Sequence, residues 1–125
     1  MATNILSLPR SANTNQFSVA NNSDWLSSIT LTSGSSPIDL TGIAFECNVR
    51  SEAGGVEIFL QASTASGTIV NGGAAGTVSF NVPAITMSAL MADVYVFDIL
   101  AIADGHTVNL YDDGPATLAV LEGVT

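Results

Sequence analysis

The stretch from Val94 to Ile102, Val-Tyr-Val-Phe-Asp-Ile-Leu-Ala-Ile, most constrains what this chain can become. It is the longest apolar run in the sequence. Its length and its β-branched and aromatic content specify a strand rather than a helix. Alternate residues of a strand face opposite ways, so Tyr95, Phe97, Ile99 and Ala101 share one side. Val94, Val96, Asp98, Leu100 and Ile102 share the other. Both sides are mostly apolar, which predicts a strand covered on each face by neighbours or by a partner chain. Asp98 is the one charge within it. Upstream, Thr86 to Met91 reads as one short helical turn with Thr86 as its N-cap. Downstream, Asp104-Gly105 reads as a tight turn into His106 to Tyr111.

Period-2 patterns recur along the chain. Phe17 and Val19 open a first strand, and Asn21 to Asp24 form a turn. Trp25, Ile29 and Leu31 alternate with Ser28, Thr30 and Thr32. Residues Ser33 to Pro37 read as a loop. Asp39-Leu-Thr-Gly42 reads as a turn in which the Asp39 carboxylate accepts local backbone N–H groups. Ile43, Phe45, Cys47 and Val49 form one apolar face against Ala44, Glu46, Asn48 and Arg50. Residues 51–55 close a hairpin, and Val56, Ile58, Leu60 and Ala62 form the returning apolar face. Thr68-Ile69-Val70 is a short segment in a Gly, Ser and Thr-rich connection. Val78, Phe80 and Val82 point inward, and Pro83 ends that strand. The turn Asp112-Asp113-Gly114-Pro115 leads to a last strand over residues 116–121.

This amounts to an all-β, antiparallel β-sandwich of about eight short strands, with one short helical turn near 86–91. Residues 1–15 are polar and contain Pro9, and read as an extended N-terminal arm. Residues 16–125 read as a single domain, for which 125 residues suffice. Trp25, Phe45, Cys47, Phe80, Tyr95 and Phe97 are the expected core markers. Asp39, Gly42, Asp104 and Gly105 are the expected turn positions.

Charge narrows the function. Only 10% of residues are charged, whereas soluble domains average roughly 25%. The cations are Arg10 and Arg50 alone, and the net charge is −9. Phosphate binding is driven by Lys and Arg, so nucleic acid is not an expected partner. No run approaches the roughly 20 apolar residues of a spanning helix, and no membrane insertion is expected. No signal peptide is recognised at the N-terminus. The single cysteine excludes an internal disulfide. Low charge in a β-rich chain also points to surface covered by other subunits.

The order of motifs carries a resemblance. Asp24-Trp25 and Ile29-Thr-Leu-Thr32 are followed by Pro37, Ile38-Asp-Leu-Thr-Gly42 and Val49-Arg50. Then come Ala75-Gly-Thr-Val78, Val82-Pro-Ala84, Ser88-Ala-Leu90, Tyr95-Val-Phe-Asp98 and Leu121-Glu-Gly-Val-Thr125. Over residues 24 to 125 this resembles small tailed-phage and prophage virion proteins, including N-terminal domains of the baseplate upper protein type. The resemblance implies an immunoglobulin-like sandwich used as a non-enzymatic building block of the tail, baseplate or fibre attachment. The location it implies is the virion, assembled in the cytoplasm of the bacterial host. The partners it implies are other virion proteins and copies of the chain itself. The sequence ends without a fibre or receptor-binding domain, which favours an adaptor, capsid decoration or minor structural role. The motifs look architectural, so no functional residues carry over.

Side chains of reactive type are few and scattered along the chain. His106, with Asp98, Asp104 or Asp112 as orienter, would have to serve any Ser-His-Asp triad, and no Gly-x-Ser-x-Gly elbow accompanies it. Cys47 lies on an apolar face with no base beside it. One Cys and one His are too few for a zinc site. Asp112, Asp113 and Asp104 offer oxygen atoms to calcium, but without EF-hand spacing, and Asp-Gly is a common turn pair. Asp93 and Asp98 would point to opposite faces, which spoils them as a carboxylate pair. Asp98 is better placed to accept a bond from a neighbouring strand or to pair with Arg50. The glycines around Gly72 to Gly76 lack the lysine of a phosphate cradle and read as a flexible loop. Trp25, Tyr95 and Tyr111 would be the platform of a small carbohydrate-binding module contacting host glycan, the alternative function. Asn21-Asn22-Ser23 matches a glycosylation acceptor. No catalytic residue, metal or cofactor is expected.

Overall fold

The computed structural model describes residues 4–10 and 13–124. Eleven short strands form: β1 (Gln16–Ala20), β2 (Ser28–Thr30), β3 (Thr32–Ser33), β4 (Ser36–Pro37), β5 (Ala44–Arg50), β6 (Leu60–Ser63), β7 (Ile69–Asn71), β8 (Thr77–Phe80), β9 (Asp93–Ala103), β10 (His106–Asn109) and β11 (Ala116–Leu121). One α-helical turn, α1, spans Ala84–Met87. The larger sheet has the order β1-β11-β9-β5-β6, with β10 also on β9, and the smaller has β2-β8-β7. Residues from both sheets share one apolar core, so the sheets pack face to face. The strand order, with the first strand beside the last, is that of an immunoglobulin-like sandwich.

Strand β9 is the axis. Asp93 to Phe97 pair with β11, and Leu100 to Ala103 pair with β10. Its other edge pairs with β5 along all seven residues of that strand. Tyr95, Phe97, Ile99 and Ala101 are buried, as the alternation predicts. The opposite side is only half-buried within one chain, because no second layer lies on it. Trp25 stacks on Phe80 at 3.9 Å, and Phe97 meets both rings edge-on. This cluster joins the sheets. Trp25 Nε1 is buried with no hydrogen-bond acceptor.

Several expectations need correcting. The helical turn starts at Ala84, not Thr86, and Pro83 rather than Thr86 occupies the cap position without a side-chain bond. The cap is supplied from afar: Asp24 Oδ1 accepts from the Ala84 N–H at 2.7 Å. Residues 33–37 are not a plain loop but a tiny β3–β4 hairpin turning at Gly34 (φ 63°). Val56 and Ile58 do not form a returning face. They are 96% and 39% exposed, because β6 begins only at Leu60, opposite Val49. Pairing is not wholly antiparallel either, since β1 runs parallel to β11.

The N-terminal segment is not extended throughout. Ile5–Ser7 form a 3-10 turn, with Ile5 and Leu8 buried in the core. Asn13 Nδ2 donates to the Leu110 carbonyl at 2.8 Å, and Tyr111 Oη donates to Thr14 O at 2.6 Å. Residues 1–3, 11 and 12 of the expected arm, and Thr125, lie outside the described residues.

Candidate functional site

The outer face of the larger sheet holds a concavity of about 470 Å3. Its floor follows from strand alternation: Glu46, Asn48 and Arg50 from β5 stand beside Val96, Asp98 and Leu100 from β9. The 111–115 turn interrupts the β10–β11 edge and forms one wall. Asn48 lies opposite Asp98, whereas Arg50 lies opposite Val96. Arg50 and Asp98 are thus diagonal neighbours, and the expected pair between them does not form because the guanidinium is engaged elsewhere. Arg50 Nη1 instead donates to the Gly55 carbonyl at 2.9 Å and holds the loop after β5. The one ion pair among the described residues joins Arg10 to Asp112 at 3.9 Å, on an exposed surface where it contributes little.

Residues of reactive type are kept apart. His106 is exposed at the Asp104-Gly105 turn, where Asp104 (φ 53°) and Gly105 (φ 76°) close the β9–β10 hairpin. Cys47 lies on the inner face of β5. Burial pushes its thiol well above the ordinary range, and the Asp98 charge adds to this. Burial likewise pushes the Tyr111 phenol up. Asp93 and Asp98 fall on opposite faces of β9. Strand β10 separates Asp104 from Asp112 and Asp113. No group of three or more His, Cys, Asp or Glu that would hold a metal occurs among the described residues.

Trp25, Tyr95 and Tyr111 are all buried, so they form no surface platform for sugar stacking. Phe59, 39% exposed and edge-on to Tyr95 at 5.4 Å, is the one Phe, Tyr or Trp ring among the described residues that reaches the surface. Asp39 behaves as a turn residue: its Oδ1 accepts from the Thr41 hydroxyl at 2.6 Å and the Thr41 N–H at 3.0 Å. These bonds hold the carboxyl below its ordinary range.

Three asparagines whose bonding role the sequence did not reveal act as clips. Asn71 Nδ2 donates to the Leu40 and Ile43 carbonyls at 2.8 and 2.9 Å, and its Oδ1 accepts from Gly73 N. The Gly72 to Gly76 segment is thereby a hydrogen-bonded 3-10 turn rather than a flexible loop. Asn21 Nδ2 donates to Leu90 O and its Oδ1 accepts from Gly123 N, so the glycosylation-type asparagine has its amide engaged. Asn13 is the third. Asn71 ends β7 and Asn21 directly follows β1, where a side-chain amide can bond local or crossing backbone.

The exposed large apolar residues concentrate at the pole where β9 begins. Val94 (56%) and Leu121 (55%) stand on β9 and β11, with Met91 (79%) and Ile85 (83%) on the segment before β9. The Phe59–Tyr95 contact brings Phe59 to the same pole, and Val56 precedes it by three residues in the connection from β5 to β6. A hollow of about 350 Å3 lies here, lined by Asn21, Ser88 to Ala92 and Glu122. An apolar area of this kind with a polar rim marks a protein contact more often than a small-molecule site. No family model matches the chain, and no curated protein matches it.

Proposed function

We propose that the protein is a structural component of a tailed-bacteriophage particle, a building block of the tail, baseplate or fibre attachment. It acts by shape, packing against other virion proteins and copies of itself. The observation that carries this reading is the apolar pole around Ile85, Met91, Val94 and Leu121 on a sandwich whose reactive groups are dispersed. The motif order over residues 24 to 125 supplies the phage context. Low charge lets the surface be covered without stranding buried charges, and a net charge of −9 keeps unassembled copies soluble.

The test is composition. Particles purified from cells carrying the sequence are separated from free protein and analysed by mass spectrometry and immuno-electron microscopy. The protein is expected at fixed stoichiometry and at one location on the particle. Its absence from particles, with the protein abundant in the same cells, would overturn the reading.

A further inference from the structure

We infer that the pole where β9 begins docks a different protein, one presenting an apolar patch ringed by lysine or arginine. This inference rests on the reading of the chain as an assembly protein and names the partner of that surface. Six large apolar side chains stand exposed there: Val56, Phe59, Ile85, Met91, Val94 and Leu121. They come from segments far apart in sequence; Phe59 is held by its N–H to the Val49 carbonyl and by its contact with Tyr95, and three hydrogen bonds tie the segments carrying Ile85, Met91 and Leu121 to the turn at residues 21–24. Asp24 Oδ1 takes the Ala84 N–H, Asn21 Nδ2 binds Leu90 O, and Asn21 Oδ1 takes the Gly123 N–H. The patch is thus held on a braced surface, and docking costs little ordering.

Charge chooses the occupant. Asp24 caps α1, Asp93 begins β9, Glu122 lines the hollow, Glu52 and Glu57 lie in the connection after β5, and all five are exposed. The chain has two cations in total. Arg50 is bound to the Gly55 carbonyl, and Arg10 is bound to the Leu6 carbonyl beside Asp112. A second copy docking pole to pole would set five acids against five acids with no cation to answer them. A bilayer of anionic lipid meets the same repulsion. A partner with a basic rim gains attraction at every one of these positions and is steered to the patch.

The test places a photo-crosslinking benzophenone at Met91, and separately at Thr107 on the opposite end, in the full chain made in its own cells. Irradiation at Met91 is expected to join it to one protein other than itself. The joined peptide is expected to carry Lys or Arg beside apolar residues. Glu57→Lys with Glu122→Lys should cut that yield roughly tenfold, and Ile85→Asp should do the same, while any Thr107 product is unchanged. These side chains are exposed, and a thermal melt checks that the variants fold. Crosslinking of Met91 to a second copy, to lipid or to nothing overturns the inference. So does a yield indifferent to charge reversal. Absence from purified particles with the Met91 product intact overturns the phage assignment while supporting this inference.

Discussion

The Tyr95 hydroxyl donates to the Met91 carbonyl at 2.8 Å, four residues upstream. Tyr95 lies near the start of β9, after the turn that carries the chain over from the smaller sheet. This is the tyrosine corner of immunoglobulin-like sandwiches. The bond fixes the 88–92 turn, while the ring, edge-on to Phe59, closes the end of the core. Burial pushes the Tyr95 phenol up, with the Asp93 charge adding to it and the bond to Met91 opposing it.

Tyr95→Phe keeps the ring and removes the bond. It should cost about 1 kcal/mol and lower Tm by roughly 4 °C. A circular-dichroism melt reads this. An unchanged Tm would mean that the corner is held by packing alone.

Asn71→Asp replaces two donors with a carboxylate facing the Leu40 and Ile43 carbonyl oxygens. The loss should be roughly 3 kcal/mol, seen as a lower urea midpoint with the same m-value. A midpoint within error of the parent chain would show that the clip is dispensable.

The alkaline side of the stability profile belongs to Cys47 and the two tyrosines. Each has its folded pKa raised, from ordinary values of 9.0 for the thiol and 10.0 for the phenols. The unfolded chain therefore loses its protons first as pH rises. Stability is full below pH 9.0 and declines above it. Cys47→Ala should shift the onset of that decline upward, toward the tyrosine range, in a Tm series at rising pH. In the folded parent protein, Cys47 should react with a thiol reagent only as fast as the sandwich opens. Rapid labelling under native conditions would contradict its placement.

Asp39 is the acidic counterpart. Its folded pKa lies below the ordinary 3.8, held there by the Thr41 hydroxyl and then the Thr41 N–H. Its contribution is present above pH 3.8 and lost as pH falls through the folded value. Thr41→Val removes the hydroxyl and should move the Asp39 titration upward, as followed by carboxyl carbon NMR. No movement would assign the shift to other groups.

The sequence by itself determined which side chains face inward. Period-2 alternation marked Phe45, Cys47 and Val49 on β5, Val78 and Phe80 on β8, and Tyr95, Phe97 and Ile99 on β9, and all of these are buried. Local turn chemistry was equally legible at Asp39-Gly42 and Asp104-Gly105, because the bonds involved close within a few residues. What tertiary structure alone decided depends on partners distant along the chain. The cap of α1 comes from Asp24, 60 residues away. Val56 and Ile58 alternate as a strand should, yet β5 has its neighbour only from Leu60 onward, and they stay exposed. The apolar pole gathers Val56, Ile85 with Met91, and Leu121 from three separate segments. Each looks unremarkable in its own stretch of chain, because alternation records the face a residue takes on its strand and carries no information about which strand ends meet in space.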